Sequence, residues 1–121
     1  MKTVKVTADR KISVIDIDLN DFRSIQHELG GYFETVKTQR MFNYFGYPIF
    51  FLVDEEGLLK NLRFNRLGCL FYGTARHGQP IVGDLIFAMQ EGENLKGPDD
   101  AECLKARLLH DFHFLTEEVE S

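Results

Sequence analysis

Residues 57–83 contain no Asp or Glu, although the 121-residue chain carries 19 acids against 14 Lys and Arg and a formal charge of −5. Into this acid-free stretch fall Lys60, Arg63, Arg66 and Arg76, interleaved with Phe64, Phe71, Tyr72 and His77. Single-strand nucleic-acid binders combine such groups, cations neutralising phosphates while rings stack on bases. The same set suits a nucleotide-like small molecule or an acidic partner protein. It also admits an internal explanation, in which Phe64 and Phe71 enter the core and the four cations pair with Asp54, Glu55, Glu56 and the acidic tail. The candidate binding residues are Lys60, Arg63, Phe64, Arg66, Tyr72, Arg76 and His77.

Other side chains could do chemistry and carry weaker signals. His110 and His113 stand at i and i+3, a spacing that a helix presents to one metal ion, with Glu117 following a turn later. Leu109 and Phe112 alternate with them, so a solvated flank is the competing expectation. Cys69 lies near His77 and several cations, an environment that favours a thiolate, yet no nucleophile-elbow pattern accompanies it. Cys69 and Cys103 fit no CxxC or zinc pattern and are expected as free thiols. Asp54, Glu55 and Glu56 could hold a cation, but consecutive strand residues point to opposite faces, and Gly57 after them suits a turn. Gly-rich phosphate loops are absent. No catalytic residue and no cofactor is assigned, and the expected class is non-enzymatic.

The elements that must position these residues follow from local patterning. Alternation on both sides of Asp9 and Arg10 predicts an N-terminal β-hairpin, with Val4 and Val6 facing Ile12 and Val14 or Ile15 and Ile17. Phe22, Ile25 and Leu29 share a helical face, Asp18 or Asn20 can cap it, and Gly30 can end it. Residues 32–38 restore alternation, and 48–57 give the densest strand signal, placed at the centre of the sheet. Residues 40–47 read as strand or aromatic loop. Asn65 is a cap for a short helix to about Tyr72, 73–80 read as loop, 81–90 as a buried strand, and 91–100 as a polar connection. Ala101, Leu104, Leu108, Phe112, Leu115 and Val119 stay in helical register, predicting an amphipathic helix over 98–119.

At 121 residues the chain is one domain, and eleven Phe with 44% apolar residues can furnish its core. The expected fold is a single small α+β domain over 1–121. Its mixed or antiparallel sheet has about four to six strands, with an N-terminal hairpin, a short internal helix and a longer C-terminal helix packed on the sheet.

In their order, "GGYFETV", "VDEEGLLKNLRFNRLGCLFYG" and "PIVGDLIF" resemble a family of small proteins from phages, plasmids and other bacterial mobile elements, known as a domain of unknown function. The likeness covers residues 1–89. Its most specific parts are Gly31, Tyr32, Phe33 and Glu34, then Asp54 to Gly57 with Leu58, Leu59 and Asn61, then Asn65, and finally Val82, Gly83 and Asp84. Arg66, Leu67, Gly68 and Cys69 depart from the small residue the pattern suggests, and the tail helix is expected to belong to this chain alone. The resemblance implies an origin and supplies no catalytic residue.

The leading expectation is an accessory protein that binds a host or element protein. Tyr44, Phe45, Tyr47 and Tyr72 would form the interface, with Arg63 or Arg66 at its edge. The hairpin could offer an open strand for a homodimer. A nucleic-acid or nucleotide binder using 57–83 comes second, and a metal-dependent enzyme built on His110, His113 and Glu117 third. The net negative charge argues against indiscriminate binding to nucleic acid or an anionic membrane. A polar N-terminus without a signal-peptide pattern makes the cytoplasm the expected compartment and a membrane partner unexpected.

Overall fold

The structure, a computed structural model, describes residues 1–119, apart from the side chain of His77. Alternating Val and Ile build the expected hairpin, β1 (Lys2–Val6) and β2 (Lys11–Asp16), paired from Lys2 opposite Asp16 to Val6 opposite Ile12. Arg10 closes its turn at φ 73°. Helix α1 (Phe22–Leu29) is capped by Asp21, whose side chain accepts from the Arg23 N–H, rather than by Asp18 or Asn20. Gly30 ends it in the left-handed region. Strands β3 (Phe33–Val36), β4 (Ile49–Asp54) and β5 (Leu85–Glu91) follow as antiparallel neighbours.

Residues 40–45 are neither strand nor loop, and only 46–47 bend away as a connection. The former lie in α2 (Gln39–Phe45), with the Thr38 side chain accepting from Met41 N–H and Gly46 closing at φ 81°. Met41 and Phe45, one helical turn apart, both enter the core. Asn65 caps α3 (Arg66–Tyr72) as expected, and a single turn, α4 (Thr74–His77), interrupts the segment read as loop. The polar connection contains β6 (Asn94–Lys96), which folds back on β5. Helix α5 (Ala101–Asp111) starts at its Asp100 cap and stops well short of 119. Beyond it the chain turns so that Phe112 packs on Phe71 and Tyr44 at 5.4 and 5.3 Å. It then lays β7 (Glu117–Glu118) parallel to the start of β2. The helical register of Leu115 and Val119 loses here to main-chain bonds from Glu117 N to Arg10 O and Val119 N to Ile12 O.

The sheet is mixed and seven-stranded, in the order β3-β4-β5-β1-β2-β7 with β6 beside β5. It is covered on both faces. Ile17, Leu19, Ile25 and Leu29 pack on Phe50, Leu52, Ile86 and Ala88 beneath α1. On the other face α2, α3 and α5 bury Val4, Val6, Phe51, Phe71, Phe87, Leu104 and Leu108. Strand β4 is buried along its whole length because each face of its alternation meets one of these cores.

Candidate functional site

The acid-free stretch does not form one surface. Lys60 donates from Nζ to Asp54 Oδ2 at 2.7 Å and to the Gly30 carbonyl at 3.0 Å. The Asp54 side chain is 2% exposed and also accepts from Glu56 N–H at 2.8 Å. Lys60 therefore ties the turn after β4 to the end of α1, and its charge is internally matched. Only this one of the four cations meets the predicted acidic turn: Arg63, Arg66 and Arg76 make no ion pair among the described residues. Arg76 is exposed on α4, and the His77 side chain lies outside the described residues.

Phe71 enters the core and Phe64, 62% exposed, does not. The reason is local. Asn65 must point inward, and in an extended segment its neighbour Phe64 then points outward. Asn65 is 1% exposed and donates from Nδ2 to the Val6 and Gly83 carbonyls at 3.0 and 2.9 Å, while Oδ1 accepts from Gly68 N–H at 3.0 Å. Arg63, Phe64 and Arg66 thus flank a rigid joint. They share a shallow depression with Arg10 and Lys11 of the hairpin turn and with Asp9 and Glu117. Sequence reasoning missed Arg10 and Lys11, which stand more than fifty positions away along the chain.

None of the aromatics expected at an interface is fully exposed. Phe45 is buried, and Tyr44, Tyr47 and Tyr72 are half-buried against the core. Tyr44 is also tethered at its polar end, where its hydroxyl donates to Asp111, and Arg107 stacks over its ring at 4.2 Å. Burial, then that bond, pushes the Tyr44 hydroxyl up to about 12. Asp111 is held below the usual carboxylate range by Tyr44 and by His110. His110 contacts Asp111, His113 packs edge-on against Phe114, and Glu117 binds Lys11 and Arg10. With the helix ended at Asp111, His110, His113 and Glu117 do not converge; among the described residues no group of three or more His, Cys, Asp or Glu could hold a metal. Cys69 is used as packing, its Sγ bonding Ile81 N and O at 3.3 and 3.4 Å.

One exposed apolar patch lies beside β3. The Phe22 ring sits 6.0 Å from Tyr32 and 5.1 Å from Phe33, with Phe22 49% and Tyr32 57% exposed. No strand covers the outer edge of β3 among the described residues. Because Glu55 N–H bonds the Tyr32 carbonyl, the hydrogen-bonded pairs are Tyr32 with Glu55, Glu34 with Val53 and Val36 with Phe51. Phe33 and Thr35 consequently aim their N–H and C=O groups away from the sheet. A groove of about 280 Å³ runs along the other face of this strand, between Glu34, Val36 and Val53 and the wall formed by Tyr72, Gln79 and Pro80. The hairpin expected to offer an edge has β1 between β5 and β2, and β7 pairs only the first two of the six residues of β2, so residues 13–16 keep an outer edge with no strand partner among the described residues.

The segments that carry the family likeness turn out to be joints of the fold. Asp54 and Lys60 close one turn, and Gly57 has no room for a side chain, because a Cβ would lie 2.6 Å from Val82 Cγ2. Asn61 adopts φ 57°, Gly83 packs at φ 79° on Leu62, and Asn65 ties α3 to β1. No helix among the described residues is long and apolar enough to cross a membrane. No curated protein and no solved structure matches the chain. A family model, Domain of unknown function (DUF3846), matches residues 1–112; the shared pattern therefore runs past residue 89 and takes in α5, and the chain belongs to the DUF3846 family.

Proposed function

We propose that this DUF3846 domain is a non-enzymatic accessory protein that captures an extended segment of another protein along the open edge of β3. The observation that carries this reading is the outward-facing N–H and C=O pairs of Phe33 and Thr35 beside the exposed Phe22 and Tyr32 rings. Strand addition takes its affinity from such main-chain bonds and its specificity from pockets for alternate side chains. Here one face of an added strand would meet the aromatic pair and the other the groove beside Tyr72. The likeness to proteins of mobile elements supports an origin in a phage or plasmid and a partner in the bacterial cytoplasm, from host or element.

The test is capture from a bacterial lysate by immobilised protein, comparing wild type with Thr35→Pro. Proline at 35 removes an outward N–H and leaves the ladder to β4 whole. The partner should be lost from Thr35→Pro while its thermal midpoint stays near that of wild type. Glu34→Pro, which deletes a bond to β4, should instead destabilise the fold. A partner retained by Thr35→Pro refutes the reading, as does a second copy of the chain as the only occupant in sedimentation.

A further inference from the structure

We infer that the depression between the hairpin turn and residues 63–66 binds single-stranded nucleic acid, with Phe64 stacking on a base and the surrounding cations holding the phosphodiester. The depression encloses about 590 Å³ and gathers Arg10, Lys11, Arg63 and Arg66 against two acids, Asp9 and Glu117. A local charge of +2 therefore stands within a chain of net charge −5. Arg63 and Arg66 are exposed and have no carboxylate within 4.0 Å among the described residues. Arg63 interacts electrostatically with Asp9 across the depression, one of the two acids already counted, whereas Arg66 has no carboxylate partner among the described residues.

Both walls are pre-organised. Asn65 N–H bonds Ile81 O, Gly83 N–H bonds Arg63 O, each at 2.8 Å, and Phe64 bridges to Val82. Across the depression Thr7 N–H bonds Lys11 O at 2.8 Å, and Ala8 N–H bonds Asp84 Oδ1 at 3.0 Å. A large apolar ring on so rigid a segment loses little entropy when a base covers it. Duplex bases are already stacked on one another, so a ring fixed in an open depression selects single strands. Glu117 ties up Arg10 and Lys11 from the chain's own tail, and an incoming phosphate has to displace it. That contact makes the tail a competitor of the ligand.

The experiment is fluorescence anisotropy with labelled oligothymidylate and oligouridylate over a salt series, on wild type, Phe64→Ala, Phe64→Tyr, the Arg63→Glu/Arg66→Glu double variant and Glu117→Gln. Wild type should bind with a slope of log K against log salt between about −1.4 and −2.8, for two to four phosphate contacts. Phe64→Ala should bind about tenfold more weakly, within the range for loss of one stacked base, and Phe64→Tyr should recover binding. The double variant should lose binding with an unchanged thermal midpoint, because both arginines are exposed. Glu117→Gln should tighten binding, which a merely structural tail contact would not do. Equal binding of the two oligonucleotides assigns the shared phosphodiester and base chemistry, and a preference assigns the preferred sugar. No binding at low salt, or binding indifferent to Phe64→Ala or to the double variant, overturns the inference. So does an oligoglutamate peptide that binds as well as the oligonucleotides. Thr35→Pro leaves this surface untouched, so failure here and failure of the strand-capture reading are separately visible.

Discussion

Replacing Asn65 tests whether the joint that aims Arg63, Phe64 and Arg66 works as the geometry requires. The side chain is buried and makes three hydrogen bonds: two donated to the carbonyls of Val6 and Gly83, and one accepted from Gly68 N–H at the start of α3. At about 1 kcal/mol net for each, Asn65→Ala should cost about 3 kcal/mol, which lowers the midpoint by about 10 °C for a domain of this size. Asn65→Asp separates the cap from the other two bonds. Aspartate caps a helix as well as asparagine does, but at neutral pH it sets a carboxylate oxygen against two carbonyl oxygens and buries a charge. It should therefore be at least as unstable as the alanine variant at pH 7. Its deficit should shrink in acid, where a protonated carboxyl can again donate to one carbonyl. Urea melts of the three proteins at neutral and acid pH decide the matter. An Asn65→Asp protein as stable as wild type at pH 7 would mean that capping is all Asn65 does, and the argument for a fixed Phe64 would fall with it.

Lys60→Met leaves the Asp54 carboxylate, 2% exposed, with the Glu56 N–H as its remaining donor. A cost of about 2 kcal/mol is expected, below the full value for a broken buried pair because the Lys60 side chain is 36% exposed. The Asp54→Asn/Lys60→Met double variant should be more stable than the two single costs predict, and strict additivity in a urea double-mutant cycle would deny the coupling. Tyr44 offers a pH test: its folded value is raised to about 12, so the stability it supplies is complete below its ordinary value of 10.0 and is lost as pH rises toward 12. The wild-type midpoint should fall across that window and Tyr44→Phe should fall less; parallel curves would refute the assignment.

Where a signal was local, the sequence was enough to place the element. The hairpin follows from alternation around Asp9 and Arg10, and α3 from one capping asparagine whose side chain does bond Gly68 N–H. Helix α2 was hidden by composition: Phe, Tyr and Asn suit strands and loops, and the weak signals of a cap at Thr38 and a stop at Gly46 decide the outcome only once Met41 and Phe45 have a core to enter. Misreading that helix misplaced Phe45 and Tyr44 on the surface. The terminal helix failed in the opposite sense. Its apolar register runs on to Val119, but the free edge of β2 offers main-chain bonds that no periodicity in residues 112–119 could announce.

The acid-free stretch shows why a block in sequence is a poor guide to a surface in space. Its four cations have three fates: Lys60 holds a turn, Arg76 stands apart on α4, and Arg63 and Arg66 face the depression. Half of that depression's cations come from the hairpin turn, where Arg10 and Lys11 look like ordinary turn residues. What joins the two segments is Asn65, which bonds the end of β1 across the chain and turns its neighbour Phe64 toward water. Folding requires the asparagine and the glycines around it, but it does not require an exposed phenylalanine beside two arginines that form no ion pair among the described residues. Phe64 bridges through its backbone to Val82 and leaves its ring exposed beside Arg63, Arg66, Arg10 and Lys11, the arrangement on which the single-strand proposal rests.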